Sequence, residues 1–457
     1  MGIYGAMNTA VSGMRAQSFA LENISGNIAN SQTTGFKRID TSFADLVSGT
    51  TGSTRRQLTG SVNSYSRATN MVQGTLEASS TETFMAINGG GYFIVQEMAG
   101  ETDGRAIFTG TDLYTRRGDF TMDREGYLVN GSGYYLKGLE LDPDTGNPVG
   151  SVSEVIRLET DTLPATETTK ITYTANLSSN PLTKRAQENP SLADSNLLDP
   201  GLTAGANVTA ANNQLFLNSS ISGGAVTAYD SLGAPVNIQL RWAKIENRDP
   251  TDATTNDSWQ LFYLSDADAT GTGVQWTNAG QTFTFNDAGA LTTPTAGVTF
   301  TNMQVNGNVL ANVQLAYGDG GLTQFAKPSG DVQVTTLTQN GMPPGELVNI
   351  GVEDGGDIVA NFSNGRQISI ARIPVVTFNA ESQLRRLDGG AFQATQESGG
   401  PITGQAGDIV GATLEASNTD IADEFSKLIV TQQAYSANSR VISTSNSMME
   451  EVLNIVR

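Results

Sequence analysis

Three clusters of carboxylates have the types and spacing that could do chemistry. Asp142-Pro143-Asp144-Thr145-Gly146-Asn147 opens like a calcium loop, but its fifth position is Gly146 and its twelfth is Ser153, where a bidentate Glu is needed. Asp266, Asp268 and Gly271 fail in the same way at Thr277. Glu353-Asp354-Gly355-Gly356-Asp357 supplies three carboxylates, enough in principle for a general acid and base in a secreted carbohydrate-active enzyme. Two adjacent glycines between alternating segments read better as a solvated hairpin turn. Gly89-Gly90-Gly91 precedes a strand pattern and opens no helix, so it is not a phosphate cradle. No lysine has a serine three residues before it, which removes the S-x-x-K nucleophile. The 457 residues include no His and no Cys. That excludes disulfides, thiol nucleophiles, imidazole bases and thiolate or imidazole metal sites. The expectation is a protein that is not an enzyme, with no catalytic, cofactor-binding or metal residues.

The elements tell more than the motifs. The two ends read as helices and nearly everything between them as strands and turns. From the N-terminus, Ile3, Met7, Ala10, Met14, Gln17, Leu21, Ile24 and Ile28 fall at steps of four and three, an a/d seam interrupted only at Gln17. The C-terminus repeats the pattern at Ile421, Phe425, Leu428, Gln432, Tyr435, Ser439, Ile442, Asn446, Met449, Leu453 and Val456. Ser417 is the expected N-cap, with Asp420 three residues on. Each stripe could pack on its own domain. Their placement at opposite ends of the chain, with no other strongly helical pattern beside either, argues for seams completed by each other or by further copies. Gly5, Gly13 and Gly26 each cost the N-terminal helix about 1 kcal/mol relative to Ala, so it needs such a partner.

Between the helices the signals are β. Tyr92 to Val95 follow the glycine turn, and Asn130-Gly131-Ser132-Gly133 separates two short apolar runs as a hairpin does. Val236, Ile238, Leu240 and Trp242 alternate, and Trp259 to Leu264 and Val274 to Trp276 continue a meander that holds all three tryptophans. Residues 180 to 225 and 246 to 257, rich in Asn, Ser, Thr, Ala, Gly and Asp, read as long surface loops. The fold class is therefore mostly β with α-helical termini: coiled-coil helices at both ends and two nested β-rich domains.

Charge sharpens the division. The formal charge is -20, but residues 1 to 60 carry +2 and residues 401 to 457 carry -4, so residues 61 to 399 hold -18. An acidic middle repels phosphate backbones and anionic lipid, which argues against nucleic acid as a partner. No apolar run is long enough for membrane insertion, and the N-terminus lacks the basic and apolar regions of a cleaved signal peptide.

Four ordered motifs carry a resemblance. Asn27-Ile28-Ala29-Asn30-Ser31-Gln32-Thr33-Thr34-Gly35-Phe36-Lys37 resembles the N-terminal signature of the bacterial flagellar rod and hook protein family, whose pattern is close to N-x-A-N-x-x-T-x-G-F-K. Leu414-Glu415-Ala416-Ser417-Asn418, with Gln432, Gln433, Ala434, Tyr435, Ser436, Ala437 and Asn438, is similar to its closing signature. Ile87-Asn88-Gly89-Gly90-Gly91-Tyr92-Phe93 and the run from Tyr114 to Phe120 are further matches. Tyr229-Asp230-Ser231-Leu232-Gly233, Gln339-Asn340-Gly341 and Asn361 to Gly365 resemble hook members, which carry an inserted outer domain that the shorter rod members lack. Two departures are the residue after Gly233, where the family often has histidine, and Thr83-Phe84-Met85-Ala86 in place of L-D-L-A.

The resemblance implies a structural subunit of the flagellar hook, polymerising into a curved tube that passes torque from motor to filament, with a distal rod subunit as the alternative. It implies terminal helices at 1–35 and 412–457 forming an inner tube, a linking segment at 36–75 packed on it, an inner β domain at 76–160 and 336–411, and an outer inserted β domain at 161–335. Implied partners are further copies of the chain, the distal rod, hook cap and hook–filament junction proteins, and the flagellar type III export apparatus. The implied location is extracellular, in the flagellar hook and basal body, reached without a cleaved signal peptide. The polymerisation seam is expected at Ile3, Met7, Met14, Leu21, Ile24, Ile28, Ile421, Phe425, Leu428, Tyr435, Ile442, Met449, Leu453 and Val456. The family motif maps to Asn27, Ala29, Asn30, Thr34, Gly35, Phe36, Leu414, Glu415, Ser417, Asn418, Gln433, Tyr435 and Asn438.

Overall fold

The computed structural model describes residues 3–45, 61–102, 105–143, 145–158, 162–249, 251, 255–318, 320–404 and 406–455. The chain divides into two units. One comprises residues up to 161, 347–362 and 366 onward; the other comprises 162–346 with 363–365.

In the first unit the helices Ile3–Ala29 and Ile421–Ile455 pack on each other. The hairpin of Ile39–Asp45 and Val62–Ala68, paired from Ile39 with Ala68 to Asp45 with Val62, lies against the N-terminal helix. Beyond it the returning chain ends are stitched in by two short antiparallel pairs, Leu76–Ala78 with Thr413–Glu415 and Met85–Asn88 with Asp408–Gly411. The long strand Tyr92–Thr102 anchors the largest sheet and pairs with Leu113–Thr115, Tyr134–Glu140 and Val375–Thr377. Its alternation sorts two cores. Phe93 and Val95 join Phe120, Leu136 and Ile358 on one face, while Tyr92 and Ile94 join Phe378 and Phe392 on the other.

The second unit is two sheets sharing one core. In the first sheet, the strands Ile221–Tyr229, Pro235–Glu246, Asp257–Leu264 and Val274–Phe285 follow one another as the expected meander. In the second, Lys170–Asn176 lies between Asn308–Ala316, to which it is parallel, and Gln333–Gln339, to which it is antiparallel. Val236, Ile238, Leu240 and Trp242 all face the shared core, as their alternation predicts. Tyr173 donates its hydroxyl to the Gly223 carbonyl and accepts from Trp242 Nε1 at 3.0 Å, which satisfies both buried polar groups.

Two expectations are corrected here. The stretch 180 to 225 is not one long loop. It contains the helices Lys184–Glu188 and Asn213–Asn218 and begins the strand Ile221–Tyr229. Phe216 is fully buried against Phe262 and Trp276, at ring-centroid distances of 4.8 and 5.4 Å, so this segment covers the outer face of the tryptophan sheet. A polar composition hid it because one aromatic supplies most of the anchoring. The cap of the C-terminal helix is Asp420 and not Ser417. Asp420 Oδ1 accepts from the Ala422 amide at 2.8 Å and the Asp423 amide at 3.3 Å, whereas Ser417 only accepts from Thr419 in the preceding turn.

Candidate functional site: the terminal junction and the helix pair

The signature residues converge where the two chain ends meet. Asn30 closes the N-terminal helix by donating its side-chain amide to the Gly26 carbonyl, and Thr33 donates to Asn30 Oδ1. Ala29 is exposed and Thr34 half-buried beside them. Gly35 then turns the chain at φ 65°, and a Cβ there would lie 2.9 Å from the backbone of Arg116 and Arg117, so both the conformation and the space demand glycine. Phe36 lies under the guanidinium of Arg386, 4.8 Å from its ring centroid.

Polar side chains fix the junction from both directions. Asn27 donates to the Ile39 carbonyl and to Glu424 Oε2 at 3.1 Å, and accepts from the Ile39 amide. Asn418 accepts from the Arg38 amide at 2.7 Å and donates to the Thr69 and Val72 carbonyls. At the centre Glu415 accepts from Lys37 Nζ at 2.5 Å, from the Gly74 amide at 2.8 Å and from Arg116 Nη1 at 3.2 Å. All three charged side chains are at most 2% exposed. Burial holds Lys37 below the usual lysine range, with the Glu415 carboxylate opposing that shift. Removing one partner of such a buried pair costs about 3–5 kcal/mol. Leu414, half-buried, pairs with Glu77 in the adjoining two-stranded ladder.

The helix pair distributes its side chains unevenly. On the N-terminal helix the buried positions are Ala10, Ala16, Ala20, Ile24 and Asn27; Ile3, Met7, Met14, Leu21 and Ile28 are half-buried on its flanks. On the C-terminal helix Glu424, Thr431 and Ser445 are buried, and Leu428, Asn438, Ile442 and Met449 half-buried along the same face. Gly13 meets Asn438 so closely that a Cβ on it would lie 2.9 Å from Asn438 Nδ2. Ile421, Phe425, Ile429, Val430, Tyr435 and Leu453 remain exposed, and so does Gln433. Val456 lies outside the described residues. The face turned inward within one chain thus mixes small and polar residues with Ile24, Leu428, Ile442 and Met449, and several large apolar ones of the C-terminal helix are left outside it.

Four of the carboxylates that could have done chemistry hold the backbone or an arginine instead. Asp142 Oδ1 accepts from the Thr145 amide, Asp266 Oδ1 from the Asp268 amide and Asp354 Oδ1 from the Gly411 amide. Asp357 is in a bidentate pair with Arg372. Sequence reasoning missed Glu424, Thr69 and Arg386 at the junction, and gave Arg116 no role there. No local signal marks Arg116 as buried, since Thr115, Arg117 and Asp119 beside it read as a polar segment.

Comparison with known proteins places this geometry. Family models match at residues 7–37 ("Flagella basal body rod protein"), 86–176 ("Flagellar hook protein FlgE/F/G D1 domain"), 200–342 ("Flagellar basal body protein FlaE D2 domain") and 411–455 ("Flagellar basal body rod FlgEFG protein C-terminal"). A flagellar hook protein of Brucella suis is 31% identical over 469 residues, covering 100% of both chains. The chain belongs to the flagellar hook protein family. The hook protein of Salmonella typhimurium is 27% identical, over 98% of this chain and all of that one. A crystal structure of the Helicobacter pylori flagellar hook protein FlgE2 shares the fold, with a TM-score of 0.51 and 18% identity over 74% of this chain and 100% of that one. The chain is thus a hook subunit and not a rod subunit, since its likeness to hook proteins runs end to end. One boundary differs. The D1 model runs to residue 176, but the strand Lys170–Asn176 is the middle of a sheet of the second unit.

Proposed function

We propose that copies of this chain polymerise through their terminal helices into a curved, hollow tube that transmits torque from rod to filament, without any catalytic step. Residues 1–35 and 412–457 would form the inner tube, 36–75 the linking segment packed on it, 76–160 and 336–411 the inner β domain and 161–335 the outer one. The distal rod, the hook cap and the hook–filament junction proteins would meet its ends. The flagellar type III apparatus would deliver the chain outside the cell with no cleaved signal peptide. No helix among the described residues is long and apolar enough to cross a membrane.

The observation that carries this reading is the C-terminal helix. Its inward face carries Thr431, Asn438 and Ser445 beside the half-buried Leu428, Ile442 and Met449, while Phe425, Ile429, Val430 and Leu453 stay exposed in a single chain. Burying each such side chain against a neighbouring copy is worth about 1.5–3 kcal/mol. The acidic β domains suit a wet outer layer whose contacts exchange through water.

The double variant Phe425→Ser with Leu453→Ser tests it. Both residues are exposed in the single chain, so tryptophan emission from Trp242, Trp259 and Trp276 should be unchanged. The concentration needed for polymerisation, read by light scattering and electron microscopy, should rise at least about tenfold. Filaments forming at the wild-type concentration would refute the reading.

A further inference from the structure

Asparagine followed by glycine can rearrange without an enzyme, because no Cβ shields the glycine nitrogen from the asparagine Cγ. The chain has five such pairs, beginning at Asn88, Asn130, Asn306, Asn340 and Asn364. The fold restrains four of them, each through a group the reaction needs. The Gly89 amide donates to Gln73 Oε1 at 3.2 Å, which occupies the nucleophile beside Asn88. Asn130 is 3% exposed, and its Oδ1 holds the Ser132 and Tyr134 amides. Asn340 is tied at every atom: Oδ1 accepts from the Thr169 and Lys170 amides, Nδ2 donates to Thr169 Oγ1, and the Gly341 amide donates to Gln339. Asn364 Nδ2 donates to the Pro343 carbonyl at 3.0 Å, in a place so tight that a Cβ on Gly345 would lie 2.8 Å from the same side chain.

Asn306 and Gly307 differ from all of these. They form the two-residue turn between the strands Val298–Val305 and Asn308–Ala316, with Val305 opposite Asn308 and φ of 50° and 85° at the two turn positions. Both are exposed, and a Cβ on Gly307 would meet nothing within 4 Å. Neither the Gly307 amide nor Asn306 Nδ2 donates to any group among the described residues. The side-chain oxygen, in contrast, is engaged: Asn306 Oδ1 accepts from the Ala267 amide at 2.9 Å. That donor is aimed at the oxygen that gains negative charge when Cγ becomes tetrahedral. Nucleophile and leaving group are therefore free at this turn, and the developing charge has a partner. The Asn306 amide donates to the Ser265 carbonyl at 2.7 Å, so the turn is moored to the 265–267 loop on the side that supplies the donor.

We propose that Asn306 is a site of spontaneous deamidation in the second unit, selected by the fold from the five candidates. The Gly307 nitrogen forms a bond to Asn306 Cγ and the Cγ–Nδ2 bond breaks. Nδ2 leaves as ammonia, carrying the proton that the Gly307 nitrogen gives up. Water then opens the cyclic imide at either carbonyl, giving aspartate or isoaspartate. No co-reactant other than water is needed. Both products place a new carboxylate beside the exposed Asp266 and Asp268 that flank Ala267, and the like charges repel. The isoaspartyl product also lengthens the backbone of a two-residue turn, which breaks the register that sets Val305 opposite Asn308. The modification goes beyond the polymerisation reading and stands or fails separately from it.

Ageing the native full chain at neutral and mildly alkaline pH, followed by peptide-resolved mass spectrometry with enzymatic labelling of isoaspartate, tests the proposal. Asn306 should convert at least about tenfold faster than each of the other four asparagines, whose reacting groups the fold holds in place. Its conversion should quicken as pH rises, since the attacking nitrogen must lose its proton. In the urea-unfolded chain the five sites should react within about threefold of one another, because the restraints are gone. Asn306→Gln should remove the acidic species that accumulate on ion exchange in the aged native protein. An Asn306 that stays intact in the native chain while reacting in urea would overturn the proposal. So would equal conversion at any of the other four sites in the native chain, or a preference for Asn306 that persists in urea, which would assign it to the neighbouring sequence and not to the fold.

Discussion

Single side chains at the junction and in the cores carry their protonation state as part of the structure. Burial pushes the Tyr114 phenol up to about 12 from the ordinary 10.0, with the Asp112 carboxylate adding to it. Burial likewise raises Tyr92, where Glu381 contributes, and Tyr173 and Tyr317. A raised phenol pKa means that the folded state holds the proton more tightly than the unfolded one. Its contribution to stability is complete below about pH 10 and is lost as pH rises through the folded value. We therefore expect stability to fall between about pH 10 and 12, and phenolate absorbance to show a late step that coincides with loss of the β signal. A titration in which all tyrosines ionise smoothly before any unfolding would contradict this. Gly35 is the complementary case, a residue fixed by conformation and space and not by charge.

Among the elements, the C-terminal helix depends on its first turn. Asp420 caps it, Asp423 and Glu424 stand at the favourable end of its dipole, and Glu424 also ties it to Asn27. Replacing Asp420 by Ala should cost about 1 kcal/mol and lower the helical circular dichroism of the monomer, with a smaller loss once the polymer has formed. An unchanged monomer spectrum would show that the helix start is set by the junction alone. The small inward residues of both helices explain why the pair needs help. Ala10, Ala16 and Ala20 permit close approach but bury little apolar area, and Gly13 saves space at the cost of helix propensity.

At the scale of the whole molecule, the second unit has a complete core of its own. Trp242, Trp259, Phe283 and Phe285 from one sheet meet Tyr173, Phe300 and Leu310 from the other. Its first and last strands are adjacent, with Leu163 bridged to Gly345 and Thr166 to Met342, so the segment enters and leaves at one place. A fragment of residues 162–346 should therefore fold alone and unfold cooperatively, with the buried-tryptophan emission of the full chain. Emission of water-exposed indole from that fragment would show that the unit depends on the rest of the chain.

The sequence by itself determined the class of elements, because helical and strand periodicity are local properties. The 3-and-4 spacing at both ends, the alternation through Trp242 and the glycine turns each needed only a few neighbouring residues to be read. The ordered signatures made the family legible for the same reason. It could not tell which helix face points inward, since Phe425 and Leu428 fit one stripe equally well and only packing separates them. Nor could it show that Phe216 covers a sheet, or that Lys37, Arg116 and Glu415 neutralise one another. Those facts depend on contacts between residues far apart in the chain, and the free energy of a buried charge is decided by the partner that tertiary structure brings to it.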